Sequence, residues 1–258
     1  MLLKNIIDWR VFTLLLIGSI IGIIGGIPYS LTLQEDLLKE IPISMPVLIS
    51  ISILQSTVLF ILVIFFGLVL ARKIGLGTPI LDRFFQKKEI ISQFKSTAIL
   101  SIFLGIIAGI LIVAGDYIFS IIGSTDLTNI IQTPPPWQGF LISFYGGINE
   151  EILLRLFFMS LLIWIFLKIK KSDSQKLNPS YVWFAIILSS ILFGLAHLPM
   201  VASITNITPL LILRALILNG IGGIIFGWLY WKKGLESSII SHFSADIILH
   251  VIVPFLLL

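Results

Sequence analysis

The 258-residue chain contains no cysteine and few charged residues. The absence of cysteine excludes disulfides, thiol nucleophiles and thiolate metal ligands. Charged residues make up 12% of the chain, whereas soluble domains contain roughly 25%. A water-soluble globule of this size could not cover its surface with so few charges. The composition also excludes disordered chains, collagen and nucleic-acid-binding tails, because these require polar or periodic sequence.

Long apolar runs dominate the chain instead. Hydrophobic residues make up 57% of it, and the mean hydropathy is +1.10. A helix needs about 20 mostly apolar residues to cross the ~30 Å hydrocarbon core, and open strands cannot satisfy their backbone groups in lipid. The sequence therefore predicts an all-α, polytopic transmembrane bundle of about seven spans. These spans are residues 11–28, 47–71, 97–122, 139–167, 181–199, 210–231 and 236–257.

The cations of the predicted loops lie on one side of the membrane. Fourteen of the 17 Lys and Arg residues precede the first span or lie in the second, fourth and sixth loops, whereas the opposite loops contain only Lys39. Arg155 and Arg214 lie within spans. Because cytoplasmic loops are enriched in Lys and Arg, we expect a multi-pass protein of the cell membrane with a cytoplasmic N-terminus.

Glycines recur at four-residue spacing in several predicted spans. Small residues at this spacing let helices approach closely in lipid, so we interpret them as packing faces. They are Gly18, Gly22 and Gly26, then Gly105 and Gly109, then Gly223 and Gly227. In the first connection, residues 31–41 mix apolar and acidic positions, which predicts a short interfacial helix.

Ionisable residues are concentrated in three predicted spans. Such groups cost about 2.5–3.5 kcal/mol each at the bilayer centre and usually mark function. All three histidines of the chain are among them, so a polar cavity inside the bundle is expected. The residues are Glu150, Glu151 and Arg155 in the fourth span, His197 in the fifth, and His242, Asp246 and His250 in the seventh.

Helical spacing suggests a role for most of these side chains. Glu151 and Arg155 are four residues apart and can pair on one helix face. Glu150 points elsewhere and has no cation one turn along, which suits a general base. His242 and Asp246 also share a face, and a carboxylate beside a histidine fixes its tautomer and orientation.

A count along the predicted spans places these residues at different depths in the membrane. At 1.5 Å per residue, Glu150 and His197 lie about 25 Å from the inner ends of their spans, but His242 lies only about 9 Å from its own. A tilt, a bent helix or a water-filled vestibule at 236–238 would reconcile them, and we favour the vestibule. His250 is either a partner of this group or an outward-facing residue, and it is left out of the predicted site.

Several established hydrolytic motifs are absent. The sequence contains no HExxH, no Gly-x-Ser and no GxGD. These absences remove the helical zinc motif, the serine nucleophile of elbow or rhomboid type and a presenilin-like aspartyl pair. Glutamate and histidine contributed by three separate spans remain.

The order of the remaining motifs resembles a known family. Glu150-Glu151-xxx-Arg155, then Phe193-xxx-His197, then His242-xxx-Asp246 resemble the CPBP family. This family comprises the type II CAAX prenyl endopeptidases and their bacterial relatives, the Abi or bacteriocin-processing and self-immunity proteins. The resemblance extends from the fourth predicted span to the seventh. It divides the chain into N-terminal transmembrane helices at 1–123 and a catalytic helical core at 124–258, which form one structural unit.

The resemblance implies a membrane-embedded endopeptidase. By matching position, Glu150 would activate the hydrolytic water, His197 would help hold that water, and His242 and Asp246 would lie near the scissile carbonyl. Implied partners are the lipid bilayer and a membrane-associated peptide or protein substrate, prenylated or not, and no nucleic acid. The supporting residues would be Glu151, Arg155 and Phe193.

Two features of the mechanism stay open in the sequence. Glu150, His197 and His242 could supply three ligands to Zn²⁺ with one open position, or the site could work without a metal. The family commonly has Asn at position 246, where an amide N–H can donate to an oxyanion. Asp246 cannot donate unless it is protonated, so it donates when neutral, orients His242 or joins a metal.

Two alternatives to proteolysis are compatible with the same residues. The first is a bacteriocin self-immunity or binding protein of the membrane that keeps the fold without hydrolysis. The second is a proton- or ion-coupled transporter, since carboxylates and histidines also form relays. The absence of inverted repeats and paired broken helices disfavours the transporter.

Overall fold

The computed structural model describes residues 7–39, 41–123, 134–170, 177–203 and 205–257. In these ranges the regular structure is entirely helical, without a strand. Of the loop cations counted above, three lie outside the described residues: Lys4, Lys171 and Lys176.

Seven helices in the described ranges are long and apolar enough to cross a membrane. They are α1 (Trp9–Leu33), α3 (Met45–Lys73), α5 (Ile91–Ile121), α6 (Pro136–Lys170), α7 (Pro179–Ala202), α8 (Pro209–Lys233) and α9 (Leu235–Leu256). Two short helices lie in the connections, α2 (Glu35–Lys39) and α4 (Pro79–Phe85). Each predicted span overlaps one long helix, and α2 lies in the predicted interfacial segment. The predicted all-α, multi-pass membrane protein is confirmed.

Proline and capping side chains define where many of the helices begin. Helices α3, α4, α6, α7 and α8 each have a proline in their first two positions, where its missing N–H and fixed φ are tolerated. The Asn178 side chain accepts a hydrogen bond from Ser180 N at the start of α7. Thr208 Oγ1 accepts one from Leu211 N at the start of α8. These contacts satisfy free amides that a helix cannot satisfy itself.

The three helices with ionisable residues are brought together by their packing. Helix α6 contacts α1, α3, α7 and α9, while α8 packs between α7 and α9. Helix α5 covers α9 from the other side. The polar segments of α6, α7 and α9 therefore face a common interior.

Close helix approach depends on the predicted glycine faces. A Cβ at Gly22 of α1 would collide with Asn149 Oδ1 on α6, and one at Gly105 of α5 would collide with Ser241 O on α9. Asn149 Nδ2 in turn donates to Ser19 Oγ at 2.7 Å, which ties α1 to α6. The packing interpretation of these glycines is correct.

The vestibule expected at 236–238 is wrong. Ser237 and Ser238 are fully buried, and Glu236 Oε1 accepts hydrogen bonds from the backbone N–H groups of Ile80 and Leu81 at 3.0 and 2.8 Å. Helix α4 therefore closes this end of α9. The sequence contains no signal for the contact between α4 and Glu236, because Glu236 lies 155 positions after Leu81 and 156 positions after Ile80.

Two of the helices that carry the site contain π-helical segments. Helix α6 is π-helical over Tyr145–Glu150 and Ile152–Met159, and α9 is π-helical over Ile247–Ile252. A π-helical turn holds more residues than an α-helical turn and often occurs at functional sites. The depth and facing of residues in these segments consequently depart from the regular count.

The close contact at Gly223 gives a stability prediction. A Cβ there would lie 2.6 Å from Ser190 Oγ and 2.9 Å from Ser190 Cα, whereas a Cβ at Gly220 on the same helix meets nothing within 4 Å. We expect Gly223→Ala to lower the free energy of unfolding by about 1–3 kcal/mol through overpacking. Gly220→Ala should leave it unchanged or raise it by up to about 1 kcal/mol. Thermal unfolding of both variants in detergent checks this; equal midpoints would contradict it.

Candidate active site

A cavity of about 390 Å³ lies inside the bundle between α1, α5, α6, α7, α8 and α9. The four residues predicted to be catalytic line it together: Glu150, His197, His242 and Asp246. Further polar lining comes from Tyr29, Asn219 and His250. The four predicted side chains thus meet in one cavity although they lie up to 96 positions apart, from residue 150 to residue 246.

A buried carboxylate holds His242. Glu151 is fully buried on α6, and its Oε1 lies 2.8 Å from His242 Nδ1. Because a carboxylate accepts, Nδ1 of His242 carries a proton and donates it to Glu151. The other oxygen of Glu151 lies 3.2 Å from Arg155 Nε, as the i,i+4 spacing predicted. Orientation of His242 by Asp246 was one of the roles that the sequence left open; in the structure, Glu151 makes the hydrogen bond to Nδ1.

The second nitrogen of His242 faces two carboxylates. Its Nε2 lies 3.7 Å from Glu150 Oε2 and 3.6 Å from Asp246 Oδ1. Both separations are too long for a direct hydrogen bond. Phe226 stacks on the imidazole with a ring-centroid distance of 4.5 Å. The ring is therefore fixed from one edge and one face, and Nε2 is directed at the acidic side of the cavity.

His197 is positioned by a break in α7. The regular helix ends at Ala196 and resumes at Leu198, with Pro199 in the first turn of the resumed segment. His197 Nδ1 lies 2.8 Å from the Phe193 carbonyl, which can only accept, so this nitrogen donates. Phe193 also contacts the ring edge to face at 5.0 Å. The neutral imidazole consequently carries its acceptor lone pair on Nε2.

Two neighbours of the site were missed in the sequence. A Cβ at Gly146 would collide with Asp246 Oδ2 and would lie 3.3 Å from His242 Nε2, so the glycine leaves room for both side chains. The Gly146–Gly147 pair next to the polar segment of the fourth span was a usable signal. His250, which the sequence prediction left out, lines the cavity with its Nε2 4.0 Å from Asp246 Oδ1.

A metal ion at this site would need at least three ligands that converge on one point. In the part of the chain that the structure describes, no three His, Cys, Asp or Glu side chains are arranged as ligands of one ion. The predicted set of Glu150, His197 and His242 therefore has no matching geometry here. Zn²⁺ at these residues stays a prediction for metal analysis of the purified protein.

The neighbouring glutamates Glu150 and Glu151 should differ sharply in their effect on stability. Glu151→Gln leaves Arg155 buried without its ion-pair partner, so we expect the free energy of unfolding to fall by about 3–5 kcal/mol. Glu150 makes no hydrogen bond within the described residues, and its side chain is 25% exposed. Glu150→Gln should therefore change stability by about 1 kcal/mol or less. Thermal unfolding in detergent checks this; similar losses in both variants would contradict it.

Comparison with known families covers the segment that carries this cavity. Residues 132–248 match a family model described as type II CAAX prenyl endopeptidase Rce1-like. All four residues predicted to be catalytic fall within the match, from Glu150 to Asp246. Comparisons with curated proteins and with solved structures give no match. Through this segment the chain is similar to the Rce1-like type II CAAX prenyl endopeptidases, a family of membrane proteases.

Proposed function

We propose that the protein is an intramembrane endopeptidase that cleaves membrane-associated peptides or proteins by means of water activated by Glu150. One observation carries this proposal: Glu150 Oε2 and His242 Nε2 face each other at a distance of 3.7 Å in a cavity among the membrane-spanning helices. Glu150 makes no hydrogen bond to the described residues and its carboxylate is accessible to the cavity. It is therefore suited to accept a proton from water.

In the proposed reaction, Glu150 removes a proton from water while the oxygen attacks the carbonyl carbon of the scissile bond. The carbonyl π electrons move to oxygen and form a tetrahedral intermediate. When this intermediate collapses, the C–N bond breaks and the proton held by Glu150 passes to the leaving amine. His197 Nε2 accepts a hydrogen bond from the same water. His242, held through Nδ1 by Glu151, presents Nε2 to the carbonyl region.

A second chamber supports a membrane-associated substrate. It has a volume of about 370 Å³, and Ile23, Ile27, Leu48 and Ile53 are among its mostly apolar lining residues. It adjoins the catalytic cavity, because the two share Ser30, Gln34, Ile142 and Tyr145. We propose that the apolar part of the substrate, including a prenyl chain where one is present, occupies this chamber.

We propose a cytoplasmic N-terminus from the distribution of charge. Lys232 and Lys233 line one cleft together with Gly75 and Asp82, so the second and sixth loops meet at the same end of the bundle. That end carries most of the loop cations, as the positive-inside rule expects for the cytoplasmic face. Lys39 belongs to the connection at the other end.

Replacing the proposed base tests the function. Glu150→Gln should lower kcat for cleavage of a reporter peptide in proteoliposomes by about 10²–10⁴-fold, the usual contribution of a general base. The matched control is Glu35→Gln, whose side chain is 57% exposed on α2 and which should cleave like the wild type. The reporter is compared with and without a C-terminal prenyl group. Retained cleavage in Glu150→Gln would overturn the proposal, and retained bacteriocin resistance without any cleavage would favour the immunity alternative.

The absence of cysteine makes the orientation directly measurable. Lys88→Cys lies in the exposed α4–α5 connection and Ser44→Cys in the exposed α2–α3 connection. In intact cells, a membrane-impermeant maleimide should label Ser44→Cys and leave Lys88→Cys unlabelled until the membrane is opened. The reverse pattern would contradict the proposed orientation.

A further inference from the structure

Tyr29 and His250 form a hydrogen-bonded pair on the wall of the catalytic cavity. The Tyr29 hydroxyl lies 3.1 Å from His250 Nδ1, and the two rings meet edge to face with centroids 5.4 Å apart. Tyr29 belongs to α1 and His250 to α9. Both residues lie outside the segment 132–248 that matches the family model, so the match assigns them no role.

The backbone fixes His250 where it can reach the site. His250 lies one turn after Asp246, in the π-helical segment Ile247–Ile252. Its carbonyl oxygen is pressed against α6 at Gly139, where a Cβ would collide with it. The position of the imidazole is therefore determined by α6 from the backbone side and by Tyr29 from the ring side.

The hydrogen bond to Tyr29 favours one tautomer of His250. When the Tyr29 O–H donates to Nδ1, the ring proton is on Nε2, and this N–H faces Asp246 Oδ1 at 4.0 Å. The opposite tautomer would direct the Nε2 lone pair at the carboxylate, which is repulsive. Donation by Tyr29 is thus the arrangement that the carboxylate stabilises. Asp246 Oδ1 then lies between Nε2 of His250 and Nε2 of His242, which is 3.6 Å away.

We propose that His250 and Tyr29 are positioning residues for Asp246, with Tyr29 acting through His250. This inference rests on the proposed function. The N–H of His250 attracts the Asp246 carboxylate and holds it beside Gly146, and Tyr29 keeps the proton on the nitrogen that does so. The first transmembrane helix thereby contributes to the catalytic cavity through one hydroxyl group.

A mutant cycle tests whether Tyr29 acts through His250. Tyr29→Phe and His250→Gln should each lower kcat for reporter cleavage in proteoliposomes about 5- to 10-fold, the equivalent of one lost hydrogen bond, with KM unchanged. The double variant should match His250→Gln alone, since coupled residues are not additive. Tyr117→Phe, at an exposed position of α5, is the control and should cleave like the wild type. The inference would be overturned if the effects of the two single variants multiply in the double variant. It would also be overturned if the single variants leave kcat unchanged or change only KM.

A spectroscopic measurement tests the contacts from Tyr29 through His250 to Asp246 without relying on an activity assay. The protein has three histidines, so ¹⁵N-histidine labelling gives three rings to assign. We expect neutral His250 to carry its proton on Nε2, and Tyr29→Phe to move proton population to Nδ1 of that ring only. Asp246→Asn should shift the ring signals of His242 and His250 and spare those of His197. A proton on Nδ1 of His250 in the wild type would overturn the inference.

The two readouts separate failure of the inference from failure of the proposed function. If the wild type does not cleave, or if Glu150→Gln still does, the proposed function fails and the catalytic significance of the pair fails with it. If Glu150→Gln abolishes cleavage while Tyr29→Phe and His250→Gln act independently, the inference alone is wrong.

Discussion

The site depends on one fully buried carboxylate, Glu151, which contacts two other polar side chains. It accepts the Nδ1–H of His242 from α9 and pairs with Arg155 one turn along α6. Arg155 also donates to the Gly223 carbonyl of α8 at 3.4 Å. Three helices are therefore joined at the level of the cavity by charge-assisted contacts, which are the stronger class of hydrogen bond and ion pair. Glu150 lies beside these groups, and its side chain remains accessible to the cavity.

The polar contacts require helices that approach closely, and small residues permit it. Gly146 leaves room for the Asp246 carboxylate, and Gly139 leaves room for the backbone of His250. On the other face of α6, Gly22 lets α1 come near enough for Ser19 to accept from Asn149. Lipid supplies no hydrophobic force between helices, so such packing and interhelical hydrogen bonds hold the bundle together.

Local periodicity explains what could be predicted from the sequence. Run length gave the seven spans, and i,i+4 spacing gave the Glu151–Arg155 pair, because both depend on near neighbours. The contact between Glu151 and His242, in contrast, joins residues that are 91 positions apart. Periodicity shows which face of its own helix a residue occupies, but it does not show which other helix packs against that face. For the same reason the roles of Tyr29 and His250 were missed. The vestibule was wrong because the contact of Glu236 with α4 leaves no trace in a hydropathy profile.

The attachment of α4 to α9 has a consequence for the depth of the chemistry. Two backbone amides of α4 bind the Glu236 carboxylate, and Leu235 N donates to Gly77 O at 2.9 Å. The first turn of α9 is thus locked to a surface segment whose exposed Phe84 and neighbouring Arg83 suit the lipid headgroup boundary. His242 lies six residues further along the same helix. The distance between α4 and His242 is therefore set by contacts within the protein itself and not by the thickness of the surrounding lipid.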